Sequence, residues 1–121
     1  MTGMLDGKRI LIVEDEYFIA SDLRRRLARE GAEVVGPVGS LAAGLDLAEE
    51  QLNAAVLDVN LAETMSFPIA DRLDDRAVPY LFLTGYDGWS LPVGRRDAPR
   101  LAKPYADGSV VRMIGELIAA G

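Results

Sequence analysis

Polar residues that could act together in one reaction follow short apolar runs at four places in this chain. In order they are Glu14 and Asp15, then Asp58, Thr84 and Lys103. The chain contains no His and no Cys, so a metal here would be bound by hard oxygen ligands, which favours Mg²⁺ over zinc. A carboxylate can also attack phosphorus and form an acyl phosphate. The residue types therefore suit metal-assisted transfer of a phosphoryl group to an aspartate.

The chemistry predicts a separate role for each side chain. Asp58 would be the nucleophile, and Lys103 would pair with a phosphoryl oxygen as a point charge. Thr84 would donate a hydrogen bond to another phosphoryl oxygen, and Mg²⁺ would offset the repulsion between the acids and the incoming group. Because the chain has no His and no recognisable nucleotide-binding loop, the donor is expected to be a partner protein or a small acyl phosphate.

Each of these residues also has an ordinary structural interpretation. An acid at a strand end, such as Asp58, is more often a turn former or a helix cap. Thr84 could cap a strand, Lys103 could be a solvated turn lysine, and the acids could form a surface patch. The chemical interpretation is the better one only if the fold brings all of them to one place.

Hydrophobic periodicity predicts the elements that would position these residues. Short apolar runs predict buried strands, and apolar residues at helical spacing predict amphipathic helices. The predicted strands are 8–13, 33–36 (closed by the Gly-Pro pair at 36 and 37), the stretch 54–61 that contains Asp58, 79–84 and 100–102. The predicted helices are about 16–30, one capped by Ser40, about 68–75, and a last one capped by Asp107. Asn60 to Thr64 is predicted to be a polar loop.

The order of these elements predicts an α/β fold. Strands that alternate with helices favour a doubly wound parallel sheet with helices on both faces. The stretch 85–97 is rich in Gly, Pro and charge, so a fourth helix there should be short or absent. Because the strands of a parallel sheet point the same way, the polar residues that follow them share one edge, and ligands bind at that edge in such sheets.

Composition limits the classes of function. With 121 residues, half of them hydrophobic, the chain is predicted to be one folded domain, residues 1–121. The formal charge of −6 disfavours binding to nucleic acid. No apolar run in the sequence reaches the roughly 18 residues of a membrane span, and we expect a cytoplasmic protein without a membrane partner.

The arginines of the first helix are either a solvated face or a docking patch: Arg24, Arg25, Arg26 and Arg29.

Four motifs carry a resemblance to a known family. IVEDE, LDVN, LTGY and KP, in this order and near these spacings, resemble the receiver domain of bacterial two-component response regulators over nearly the whole chain. The resemblance implies a flavodoxin-like (CheY-like) five-stranded sheet of order 2-1-3-4-5. It also implies a cis peptide bond between Lys103 and Pro104, a state realistic only before proline.

The same resemblance implies roles for the site residues. Asp58 resembles the phosphoacceptor, Thr84 the switch hydroxyl and Lys103 the phosphoryl-binding lysine. The Mg²⁺ ligands that it implies are Asp15 directly, Glu14 through water, Asp58, and the backbone carbonyl of Asn60.

A narrower resemblance is to the FAT GUY receivers. It is carried by VPYLFLTGY (78–86), GPVGSL (36–41) and DVNLAETMSFPIADRL (58–73). It implies that the phosphodonor is among the HWE-type or related histidine kinases.

Two features depart from the usual receiver pattern. Arg100 stands three residues before the lysine, where receivers usually have an aromatic residue that follows the switch hydroxyl. The segment 85–97 is also shorter than in typical receivers, and output could use that segment instead of the usual route. Within it, Tyr86 and Trp89 are either partner anchors or local packing.

These residues predict a single-domain response regulator in Mg²⁺-dependent phosphorelay signalling. It would take a phosphoryl group on Asp58 from a histidine kinase or a phosphotransfer protein, and would be no enzyme beyond slow self-dephosphorylation. Phosphorylation would order the segment 85–97 and change the binding of an unidentified downstream protein.

Three alternatives stay open beside this prediction. The chain could be a receiver-like adaptor that works without phosphate, or a receiver cut from a hybrid histidine kinase. It could also be a small phosphohydrolase with an aspartyl-phosphate intermediate. That class has a second acid two residues after the nucleophile, where this chain has Asn60.

Overall fold

The computed structural model describes residues 3–61, 64–85, 91, 93–95, 97–106 and 108–120. In chain order the elements are β1 (Arg9–Val13), α1 (Tyr17–Arg29), β2 (Glu33–Val38), α2 (Leu41–Leu47), β3 (Ala54–Asp58), β4 (Asn60–Leu61), β5 (Thr64–Met65), α3 (Phe67–Asp75), β6 (Tyr80–Thr84), a 3-10 turn (Val93–Arg95), β7 (Arg100–Ala102) and α4 (Ser109–Ala120). The four long helices and the five strands of the main sheet fall where periodicity predicts them.

The main sheet has five strands in the order β2-β1-β3-β6-β7, and every pair in it is parallel. Because β6 and β7 are the fourth and fifth strands of this sheet, the predicted order 2-1-3-4-5 is confirmed. The right-handed crossovers that such an order requires leave helices on both faces.

The helices divide the core into two layers. α2 and α3 cover one face of the sheet, over a cluster that includes Leu11, Val13, Leu57, Ile69, Leu73 and Phe82. α1 and α4 cover the other face, over Ile10, Ile12, Leu23, Leu27, Val56 and Ile114. All five residues of β3 are buried, which is why that strand reads as a continuous apolar run up to Asp58.

Two local predictions are wrong. The Gly-Pro pair does not close the second strand, since β2 continues to Val38 with a shift in its register against β1 between Leu11 and Val13. β2 is an edge strand, where proline is tolerated because one side of the backbone has no partner strand. The predicted polar loop at 60–64 instead contains β4 and β5, which pair antiparallel.

The prediction of a short or absent fourth helix concerns the segment between β6 and β7. Within the part of that segment that the structure describes, the regular element is the 3-10 turn Val93–Arg95. Tyr86 and Trp89, for which two interpretations were open, lie outside the described residues, as does Asp107, the predicted cap of the last helix.

Candidate functional site

The carboxyl ends of the strands bring the predicted site residues to one edge of the sheet. Asp58 is the last residue of β3 and is 5% exposed. Glu14 directly follows β1 and is 3% exposed, and Thr84, the last residue of β6, is 2% exposed. Lys103 follows β7, and its backbone N–H donates to the carbonyl of Thr84 at 2.8 Å. The positions of Glu14, Asp58 and Thr84 follow from largely buried apolar strands that stop at a polar residue, whereas β7, which leads to Lys103, is partly exposed.

The ammonium group of Lys103 lies among the carboxylates. Its Nζ is 2.7 Å from Oε1 of Glu14 and 3.4 Å from Oδ2 of Asp58. Burial alone would lower the pKa of Lys103, but the two carboxylates outweigh burial and raise that pKa. The lysine is therefore held as a cation at the point where Asp58 would carry a phosphoryl group.

The surroundings of Asp58 make a negative charge on its carboxyl group energetically unfavourable. Burial is the largest cause that raises the pKa of Asp58, followed by the hydrogen bond and the charge of Glu14; Lys103 opposes the rise, and the resulting pKa is about 8. Asp15 adds to the rise as a hydrogen-bonding neighbour. A carboxyl group in such surroundings gains free energy from any additional cation beside it.

Three carboxylates offer a coherent set of cation ligands. One oxygen from each of Glu14, Asp15 and Asp58 lies within 4.8 Å of the others, and all are hard donors of the kind that Mg²⁺ prefers. Glu14 already uses Oε2 to accept the backbone N–H of Glu16 at 3.1 Å, while its Oε1 faces Lys103. Asp15 is exposed. The residues present therefore fit Mg²⁺, and the exposed Asp15 is the most available ligand of the three.

Asn60 lies next to this group. Its backbone N–H donates to Oδ1 of Asp58 at 3.4 Å, which keeps β4 close to the end of β3. A role for its carbonyl as a metal ligand stays a prediction. The peptide bond between Lys103 and Pro104 is cis, as the resemblance implies.

A cavity of about 510 Å³ opens beside Lys103, between α1 and the chain that leads to α4. Its wall includes Phe18, Ile19, Asp22, Lys103, Pro104 and Tyr105. Phe18 is 84% exposed, and its ring meets that of Tyr17 edge-on at 5.4 Å between centroids. The sequence contains a signal for this pair that the predicted site did not use: two aromatic residues directly follow the acids, at the start of a helix.

Arg100 and the arginines of α1 occupy outer surfaces. Arg100 is exposed on β7 and is in register with Phe82 of β6, so the usual aromatic position is filled by a charged side chain. On α1, Asp22 pairs with Arg25 at 2.6 Å and with Arg26 at 2.7 Å. The arginine face is thus partly neutralised by its own helix, and both interpretations of it stay open.

Within the described residues, no helix has the length and the apolar character needed to cross a membrane.

Comparisons with known proteins place the chain among regulators with this fold. No family model matches the sequence. The chain is 30% identical over 112 residues to the transcriptional regulatory protein PdtaR of Mycobacterium tuberculosis, an alignment that covers 88% of this chain and 55% of that protein. The chain therefore spans about half the length of the curated relatives that it matches.

Solved structures give a fuller match. The solution structure of SdrG from Sphingomonas melonis Fr1 is 35% identical, with a TM-score of 0.80 and coverage of 97% of this chain and 99% of that one. The receiver domain of a sensor histidine kinase from Pseudomonas aeruginosa is 23% identical, with a TM-score of 0.77 and coverage of 93% and 98%. That crystal structure has a magnesium ion in its active-site cleft.

Proposed function

Because this chain belongs to the receiver-domain family of response regulators, we propose that it accepts a phosphoryl group on Asp58 in phosphorelay signalling. The donor would be a phosphohistidine on a histidine kinase or a phosphotransfer protein. The observation that carries the proposal is the placement of Lys103, with Nζ 3.4 Å from Asp58 and 2.7 Å from Glu14, in a group of three carboxylates that fits a cation.

The transfer exchanges one bond to phosphorus for another. A carboxylate oxygen of Asp58 attacks phosphorus, the P–N bond to the donor imidazole breaks, and the imidazole leaves with the electron pair and later takes a proton from water. Lys103 would turn from Glu14 toward a phosphoryl oxygen, and the hydroxyl of Thr84 would donate to another. When bound, Mg²⁺ would neutralise part of the charge on the carboxylates and on the incoming group.

The cavity beside Lys103 supports an approach of the donor from the α1 side. Phe18 and Ile19 give this wall an apolar part and Asp22 gives it a charge. Lys103 connects the wall to the acceptor, since its Nζ lies 3.4 Å from Asp58. A partner that carries its phosphohistidine on a protein surface needs such an opening, because Asp58 itself is only 5% exposed.

We extend the proposal to the whole chain. Residues 1–121 would act as one receiver unit whose own catalysis is limited to slow loss of the phosphoryl group, and phosphorylation would change a surface that binds a downstream protein. The FAT GUY assignment and an HWE-type kinase as donor stay predictions.

A receiver-like adaptor that works without phosphate is the second candidate. The observation that favours it is Arg100, which is exposed on β7 where receivers usually have an aromatic residue. An adaptor of this kind would bind its partner equally well when Asp58 cannot be phosphorylated.

Labelling tests the proposal directly. We expect the wild-type chain to take up ³²P from a phosphorylated histidine kinase or from labelled acetyl phosphate only when Mg²⁺ is present. Asp58→Ala should abolish the label, because it removes the attacking oxygen. Asp46→Ala changes an exposed acid on α2 and should leave labelling unchanged.

Two outcomes of the labelling experiment contradict the proposal. One is the absence of Mg²⁺-dependent label across a panel of donors, and the other is label that persists in Asp58→Ala. Partner binding that is the same for wild type and for Asp58→Ala, in phosphorylating conditions, would favour the adaptor.

A further inference from the structure

Arg95 occupies a site built for a guanidinium group. Only 14% of its side chain is exposed. Its Nη1 donates to the hydroxyl of Tyr80 at 2.7 Å and to Oδ2 of Asp74 at 3.3 Å, and its Nη2 donates to Oδ1 of Asp71. The guanidinium carbon also lies 5.9 Å from the centre of the Phe67 ring. A 3-10 turn is thus joined to α3 and β6 by one side chain.

This arrangement needs arginine rather than a positive charge alone. Asp71 and Asp74 are 68% and 55% exposed, and exposed ion pairs contribute little. Two kinds of contact depend on the shape of the guanidinium group. Its fork of N–H groups donates to two carboxylates and a phenol hydroxyl, and its flat face lies over the Phe67 ring. A lysine would keep the charge but lose the fork and the stacking.

The two rings that Arg95 touches both pack against Phe82. The Phe67 and Phe82 ring centres are 5.8 Å apart, and those of Tyr80 and Phe82 are 5.3 Å apart, in each case edge-on. Phe82 is fully buried, and close-packed interiors leave a side chain like this little room to shift alone. The position of Phe82 is therefore set in part by rings that Arg95 holds.

Phe82 and Thr84 share one face of β6. Side chains alternate along a strand, so Tyr80, Phe82 and Thr84 point to the same side. The neighbours Leu81 and Leu83 pack in the α1–α4 layer, while Phe82 packs in the α2–α3 layer. A change in the packing of Phe82 would therefore shift the end of β6 that carries Thr84.

We propose that Arg95 is a positioning residue for Thr84. It fixes Tyr80 and Phe67, these rings fix Phe82, and Phe82 sets the place of the hydroxyl that meets the phosphoryl group on Asp58. This inference rests on the proposed function, since it assigns Thr84 to that phosphoryl group. The contacts of Arg95 are with α3 and β6 and not with the three acids that fit Mg²⁺, so its loss should act on Thr84 more than on the metal site.

A double-mutant cycle with beryllofluoride, a phosphoryl mimic, tests the inference. Wild type, Arg95→Ala, Thr84→Ala and the double variant are titrated calorimetrically with Mg²⁺ alone, and then with beryllofluoride at saturating Mg²⁺. We expect Arg95→Ala to weaken beryllofluoride binding at least about fivefold, the lower range of measured couplings between sites, with Mg²⁺ affinity unchanged. In the Thr84→Ala background, Arg95→Ala should have no further effect.

Two further variants separate positioning from general loss of structure. Arg95→Lys should weaken beryllofluoride binding nearly as much as Arg95→Ala, because it keeps the charge but lacks the fork and the flat group that hold Tyr80 and Phe67. If Arg95→Ala does not fold, Arg95→Lys and Asp74→Asn are titrated in its place. Arg112→Ala changes an exposed arginine on α4 and should match wild type.

Three results would overturn the positioning role. They are wild-type beryllofluoride affinity in the Arg95 variants, an equal loss of Mg²⁺ affinity, or a loss that adds fully to that of Thr84→Ala. Failure of the wild-type chain to bind beryllofluoride at all is a different result, which contradicts the proposed function itself and the positioning role with it.

Discussion

Lys103 shows how one residue can serve the site with and without a phosphoryl group. The sequence predicts that it pairs with a phosphoryl oxygen, and in the chain alone its Nζ instead lies 2.7 Å from Glu14. Glu14 and Asp58 are almost fully buried, and buried carboxylates without a cation nearby are strongly unfavourable. Lys103 therefore stabilises the fold by neutralising these carboxylates, and a bound metal ion would share that task.

Removal of this cation should destabilise the chain. We expect Lys103→Met to lower the free energy of unfolding by about 2–4 kcal/mol in EDTA, because breaking a buried ion pair leaves uncompensated charge. Added Mg²⁺ should recover part of the loss. Urea unfolding with and without Mg²⁺ measures both effects. Lys8→Met, which removes the chain's other lysine, is the control, and a Lys103→Met loss no larger than that of the control would contradict this role.

At the scale of elements, the sequence predicts what depends on local pattern. Buried strands read as apolar runs and amphipathic helices as spaced apolar residues, so the elements and the shared edge with Asp58 could be predicted. The strand order followed only from the resemblance of four motifs to receiver domains. The continuation of β2 through Gly36 and Pro37 could not, because the pair reads as a turn unless the strand is known to lie at an edge. The contacts of Arg95 with Tyr80 and α3 join separate elements. The spacing of residues along the chain does not predict contacts of this kind.

Gly36 should be required for the extended β2. Its φ is +96°, and a Cβ there would lie 2.9 Å from the carbonyl oxygen of Ile12. Gly7 has a φ of +75° with open space around it. We expect Gly7→Ala to cost about 1–2 kcal/mol from the left-handed backbone alone, and Gly36→Ala to cost roughly 1–3 kcal/mol more from overpacking. Urea unfolding of both variants measures the difference, and equal costs would mean that β1 and β2 separate easily at this point.

At the scale of the whole molecule, the site ties together strands that are distant in sequence. Glu14 follows β1, Asp58 ends β3 and Lys103 follows β7, so a ligand that binds these groups holds the middle of the sheet to its edge. Such a ligand binds the folded chain and not the unfolded one, and it should raise global stability by mass action. Global stability is therefore a readout of metal binding that does not depend on phosphorylation.

Thermal unfolding over a range of Mg²⁺ concentrations provides that readout. At about 100 times its dissociation constant, Mg²⁺ should stabilise the wild-type chain by about 2.7 kcal/mol, seen as a rise in Tm. Asp15→Asn removes one of three crowded carboxylates. It should therefore be as stable as wild type or up to about 1 kcal/mol more stable in EDTA, since like charges at close range repel, yet gain little from Mg²⁺. Asp46→Asn, an exposed acid on α2, should follow wild type in both conditions. A full Mg²⁺ response in Asp15→Asn would remove Asp15 from the ligands and leave Glu14 and Asp58 as the acids that hold the cation.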